Sequence, residues 1–208
     1  MIKLALSLTE PYRVISRYDS AIDLPPEPND PMPQRTDGES DESFEARAKA
    51  WAAPIREWGK PLRVARETGD YSAILKAGET PSAFIVRQVT ATEWAKIDAA
   101  SGRLQARIYN EVVQAQYVAG MPDEMIAEMM RDASRRFARA LGHLLVRYAV
   151  EGIENAPAAA TIARAEDPAF PELGPIQPTA FVDLFTGSER ILMEIAEVVG
   201  ERRHTPPN

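Results

Sequence analysis

The chain of 208 residues contains no cysteine. Disulfide frameworks, thiolate nucleophiles and cysteine-ligated zinc are thereby removed, and synthesis in a reducing cytoplasm is the natural reading. Histidine is nearly absent as well, with His143 and His204 only. A histidine triad or a two-histidine zinc site would need both, and no HExxH pairing is present. His143 reads instead as a boundary histidine on a long helix, hydrogen-bonded locally. Extended apolar runs are missing too. The opening stretch Met1 to Leu8 is cut short by Glu10 and Pro11, and no later run approaches the ~20 apolar residues of a membrane span. Neither export by a standard signal nor membrane insertion is expected. Two short motifs also fall short: Gly187-Ser188-Glu189 lacks the second glycine of a nucleophile elbow, and Gly69 to Lys76 lacks the second glycine and the Lys-Ser/Thr end of a phosphate loop. Ser188 is better read as a helix N-cap. No cofactor and no metal are expected.

What is present is acidity in one place. Residues 19–45 carry Asp19, Asp23, Glu27, Asp30, Asp37, Glu39, Asp41, Glu42 and Glu45 against Arg35 alone, a local charge of −8. The chain as a whole stands at −7, so the remainder is near neutral at +1 and gives no general attraction to nucleic acid. The same stretch holds Pro25, Pro26, Pro28, Pro31 and Pro33. It cannot form helix or sheet and has little to bury, so residues 19–42 read as an acidic, proline-rich, stiff spacer.

Periodicity organises the rest. Ile2, Leu4, Leu6 and Leu8 alternate as in a half-buried strand, and Tyr12 to Ser16 follows after a Thr-Glu-Pro break, which predicts a β-hairpin over residues 1–18. Phe44, Ala48, Trp51, Ile55 and Trp58 recur at helical spacing before Gly59 and Pro61, which predicts an amphipathic arm over 43–59. Ala83 to Val89 reads as a strand running into a Thr90-Ala91-Thr92-Glu93 capping box. Helices are then predicted at 91–100, at 103–119 ended by Gly120, and from Pro122 to about Tyr148. A proline-rich loop follows over 151–178, in which Ala158 to Arg164 can hold a short helix. Closing helices at 179–185 and 188–200 lead to a frayed tail over 201–208. The fold class is mainly α with a small β contribution: a helical domain over 81–200, preceded by the hairpin and the tethered helix.

The candidate site residues are contact residues. Phe44, Trp51, Ile55 and Trp58 either pack on the protein's own core or dock in a groove of another chain, tryptophan being enriched at binding hot spots. Arg131, Arg135 and Arg139, with Arg136 beside them, form a basic strip on the long helix. It is either a solvated face paired with Glu128 and Asp132 or a dock for an acidic partner, and aromatic interleaving for base stacking is lacking. Carboxylates are plentiful, so an enzyme using two of them within the helical domain is the alternative from another class. Asp123 and Glu124 are accounted for by the helix dipole, and no acid is singled out as catalytic.

The segment from Pro81 to Trp94, an extended Phe84-Ile85-Val86-Arg87-Gln88-Val89-Thr90 run leading into a capped helix, resembles the start of the tail assembly chaperones encoded with tailed-phage tail genes. Val150-Glu151-Gly152-Ile153-Glu154-Asn155, followed by a proline-rich loop and closing helices, is a second point of similarity, and the two span about residues 81–199. The resemblance implies a non-enzymatic helper that keeps a tail protein soluble until assembly. Its partners would be phage tail or capsid proteins or further copies of itself, in the host cytoplasm during assembly or in the virion. The hairpin, acidic linker and tryptophan arm depart from that pattern and suit a virion component clasping a neighbour.

Overall fold

A computed structural model describes residues 11–119, 121–155, 163–183 and 188–201. The fold is mainly α with a small three-stranded antiparallel sheet. The chain divides into two compact units, Met1–Ser16 with Ser82–Asn208, and Arg17–Pro81. The second is thus an insertion within the first.

In the first unit the sheet runs in the order β1 (Tyr12–Ile15), β2 (Ala83–Val86), β3 (Val150–Glu154). Tyr12 to Ile15 does form a strand, but its partner is β2, with Tyr12 opposite Val86 and Ile15 opposite Ala83. The Ile2 to Leu8 half of the expected hairpin lies outside the described residues. Beyond β2, the capping box forms as its spacing requires: the Glu93 amide donates to the Thr90 hydroxyl at 3.3 Å, and the Thr90 amide donates to the Glu93 carboxylate at 2.8 Å. Helix α2 (Ala91–Ala119) then runs without the expected break at Ser101-Gly102. One interior glycine costs about 1 kcal/mol, too little to interrupt a helix packed along its length. Gly120, the expected stop, lies outside the described residues.

Helix α3 (Asp123–Ala149) has Pro122 at its N-cap, not inside its first turn, and Asp123 and Glu124 follow at the positive end of the dipole. Its last residues, Leu144 to Ala149, include five buried apolar side chains and pass straight into β3. The core gathers Phe84 and Val86 of β2, Ile97 and Ala100 of α2, Leu144, Val146 and Tyr148 of α3, and Leu192, Ile195 and Val199 of α5 (Glu189–Glu201). Phe170, Leu173 and Ile176 from the proline-rich loop, and Phe181 and Val182 of α4 (Thr179–Asp183), complete it. Ser188 stands immediately before α5. The short helix expected within 158–164 falls mostly outside the described residues, as does the tail beyond Glu201.

In the second unit, α1 covers Asp41–Thr68 and not 43–59. It passes through Pro54, Gly59 and Pro61 and ends at Gly69, which adopts the left-handed conformation (φ 74°) and donates to the Ala65 carbonyl. Each proline removes one helical hydrogen bond, leaving the carbonyls of Ala50 and Glu57 without a helical donor. Both residues are exposed, so water can satisfy them. The apolar stripe meanwhile continues past the apparent stop through Leu62 and Ala65, both buried. Residues 23–40 form neither helix nor strand, as their prolines imply, but the segment lies along α1 and does not stand off as a spacer, and Asp41 and Glu42 belong to the helix. It begins at a bridge between Ile22 and Leu75, where the Asp23 amide donates to Ile74 and the Lys76 amide to Ala21, at 2.8 and 2.9 Å.

Candidate functional site

Prolines fix φ and strip N–H donors from residues 25–33, and they push the residue before each of them into extended backbone. The result is a strap rich in carbonyls and poor in partners. Helix α1 supplies the donors from one stripe. The Trp51 indole donates to the Asp30 carbonyl at 2.8 Å, the Trp58 indole to the Pro25 carbonyl at 2.6 Å, and Arg47 to the Gln34 carbonyl at 2.9 Å. Both tryptophans, like Phe44 and Ile55, are half-buried. Arg17 adds a cation–π contact 5.3 Å from the Trp58 ring. Of the two readings open for the tryptophan arm, the structure shows both tryptophans engaged within their own chain.

The strap is latched at its far end. Glu39 receives Arg47 in a two-pronged pair at 2.8 and 2.6 Å, and the Thr36 amide at 3.1 Å. Arg47 first, and then the Thr36 amide, hold the Glu39 carboxyl at about 2 against an ordinary value of 4.5. Gly38, at φ 80°, makes the turn that brings the strap round into Ser40, whose hydroxyl caps α1 by accepting from the Ser43 amide.

In the first unit, the basic strip on α3 divides. Arg136 pairs with Glu111 of α2 at 2.8 Å and Arg139 with Glu189 of α5 at 2.9 Å. Arg131 and Arg135 have no acidic partner among the described residues, and Arg135 donates to the Arg131 carbonyl at 3.4 Å. Further out, α2 and α3 pack mainly on each other through Ile108, Val112 and Ala133, joined by Leu104, Tyr109, Met129 and Phe137. The Tyr109 and Ser134 hydroxyls meet at 2.8 Å and fix the register of this hairpin. One turn further toward its tip stand Val113 on α2 and Met130 on α3. They are 42% and 38% exposed, and Met125 nearer the tip is 48% exposed. Met129 packs inward and Met125, one turn before it, does not, because helical periodicity cannot say where a long helix outruns its core.

The charged residues missed in the sequence are ties within the fold. Arg87, immediately after β2, donates to both Glu93 oxygens at 3.1 and 3.2 Å and lies 4.4 Å from the Tyr148 ring centre. Burial pushes the Glu93 carboxyl up, yet the Thr90 amide, Arg87 and Tyr148 outweigh it and leave the group below its ordinary value. Burial, followed by the nearby Arg87, lowers Arg164, whose guanidinium donates to the Tyr148 and Val150 carbonyls at 3.2 Å. Arg147 pairs with Asp167 at 2.6 Å, both largely buried, and also donates to the Gln177 carbonyl. Ser16 donates to the buried Glu194 carboxylate at 2.5 Å. His143 is half-buried on α3, and His204 lies outside the described residues.

Among the described residues no group of three or more His, Asp or Glu side chains is arranged to hold a metal ion, and no helix is long and apolar enough to cross a membrane. Compared with protein-family models, curated proteins and solved structures, the chain has no match.

Proposed function

We propose that this chain works through protein–protein contacts, as an assembly or structural protein of the kind encoded with tailed-phage tail genes, and that a tail assembly chaperone is its nearest description. The observation that supports this best is the outer part of the α2–α3 hairpin. Two helices spanning Ala91–Ala119 and Asp123–Ala149 continue well beyond the residues they contribute to the main core, and they present Val113, Met125 and Met130 to solvent at the far end. Methionine thioethers adapt to apolar partners of varied shape, which suits a helper that shields a tail or capsid protein before assembly. The beaded Arg131 and Arg135 lie on the same helix and favour an acidic rim on that partner.

Affinity purification from the native source, followed by mass spectrometry of the bound chains, tests the reading. Tail or capsid proteins should copurify with the wild type and be lost when Val113, Met125 and Met130 are changed to Gln. Capture of no such protein, or equal capture by the variant, would count against it.

A further inference from the structure

Recognition of the strap in the second unit is addressed to its backbone. The carbonyls taken by Trp51 and Trp58 belong to Asp30 and Pro25, and the next residues are Pro31 and Pro26. Each accepting group is therefore a tertiary amide, which offers an acceptor and carries no N–H of its own. Aromatic-lined surfaces that take proline-rich segments from other chains work on extended backbone of this kind. Much of the strap also faces solvent: Pro25, Asp30 and Gln34 are exposed, and Met32 is 61% exposed.

The geometry points to the Arg47–Trp51–Trp58 stripe of α1 as a receptor for an extended, acidic, proline-rich segment, occupied in an assembly by residues 25–34 of a second copy. The second copy carries the segment whose carbonyl spacing already fits these donors, and within one chain its Glu27 pairs with Arg17 beside the stripe at 3.7 Å. The segment between the Ile22–Leu75 bridge and the Ser40 cap of α1 is the element exchanged, and reciprocal exchange of identical elements is a low-cost route to a dimer. In one chain the tether gives the strap an effective concentration on the order of millimolar, so the closed form prevails in dilute solution and exchange grows as copies are brought together.

Two full-length variants test this, one with Arg47, Trp51 and Trp58 changed to Ala, the other with Pro25, Pro26, Pro28, Pro31 and Pro33 changed to Gly. Alone, each should be monomeric by light scattering. Mixed, they should form a one-to-one complex, the intact strap of the first seated on the intact receptor of the second. Adding Val113→Gln and Met130→Gln to both should leave that complex unchanged, which separates it from contacts of the α2–α3 hairpin. A second measurement guards against misfolding of either variant: a fluorescent synthetic peptide of residues 22–35 is titrated into the wild type and into the glycine variant, with helix content followed by circular dichroism. The peptide should bind the glycine variant about tenfold tighter or better, since no tethered strap competes there. A mixture that stays monomeric at concentrations on the order of 10⁻⁴ M, together with peptide that binds both chains equally or neither, overturns the proposal.

Discussion

Glu39 shows how much one carboxylate can do when its surroundings are arranged. It joins the end of the strap to Arg47, the same side chain that reads the Gln34 carbonyl, so a single guanidinium holds both the turn and the backbone before it. Its folded value of about 2 lies below the ordinary 4.5. The carboxylate therefore contributes stability that is fully present above about 4.5 and is lost as pH falls toward 2. The indole N–H resonances of Trp51 and Trp58 should hold their positions from neutral pH to about 3 and shift together as the pH approaches 2, and Glu39→Gln should abolish that transition. A Glu39 carboxyl found by NMR to titrate at its ordinary value would contradict this account. None of it was legible in the sequence, where Glu39 is one acid of nine and Arg47 lies on a helix eight residues away.

Among the elements, strands and helices were read best where one periodicity ran without conflict. The Thr90 capping box, the β2 strand and most of α3 follow from local signals, and all three are present. The failures have physical causes. Gly59 and Pro61 look like a helix end, yet Leu62 and Ala65 keep the buried stripe going and outweigh a pair of solvent-facing broken hydrogen bonds. Strand β3 was missed because Val150 to Glu154 is short and follows directly on a helix, and only its pairing with β2 identifies it. Where α3 meets α5 stands a glycine that periodicity would rank as a weakness. A Cβ on Gly142 would sit 2.8 Å from the Met193 sulfur and 3.7 Å from the Ala196 Cβ. Met193 is partly exposed and can swing aside, and alanine is worth about 1 kcal/mol more than glycine inside a helix. Gly142→Ala should therefore change stability by less than about 1 kcal/mol, whereas Gly142→Leu should lower it by roughly 1–3 kcal/mol in urea denaturation. Equal loss from both would show that the α3–α5 approach tolerates no added atom.

At the scale of the whole molecule, the second unit leaves the sheet after β1 and returns at β2, two strands that pair with each other. Ile15 and Ala83 are register partners, so the insertion starts and finishes at neighbouring points of one ladder. The sequence suggested the reverse, a linker followed by a separate domain, because nothing local says that Val14 lies opposite Phe84. Replacing residues 17–81 with a short Asn-Gly turn converts β1–β2 into an ordinary hairpin. The shortened chain should remain helical and unfold in one cooperative transition, as read by circular dichroism at 222 nm. Loss of cooperative unfolding would mean that the first unit does not stand without its insertion.

The bridge between Ile22 and Leu75 has a kinetic consequence. With the insertion unfolded, β1 must find β2 across a loop on the order of 65 residues, whereas a closed bridge shortens the effective loop to about 15 and removes roughly 1 kcal/mol of closure entropy. The inserted unit thus serves as a splint during folding, setting the two strands within reach before they pair. Stopped-flow refolding of an Ile22→Gly variant should slow strand pairing by several-fold and leave the unfolding rate of the first unit almost unchanged, as expected for a contact made before the barrier.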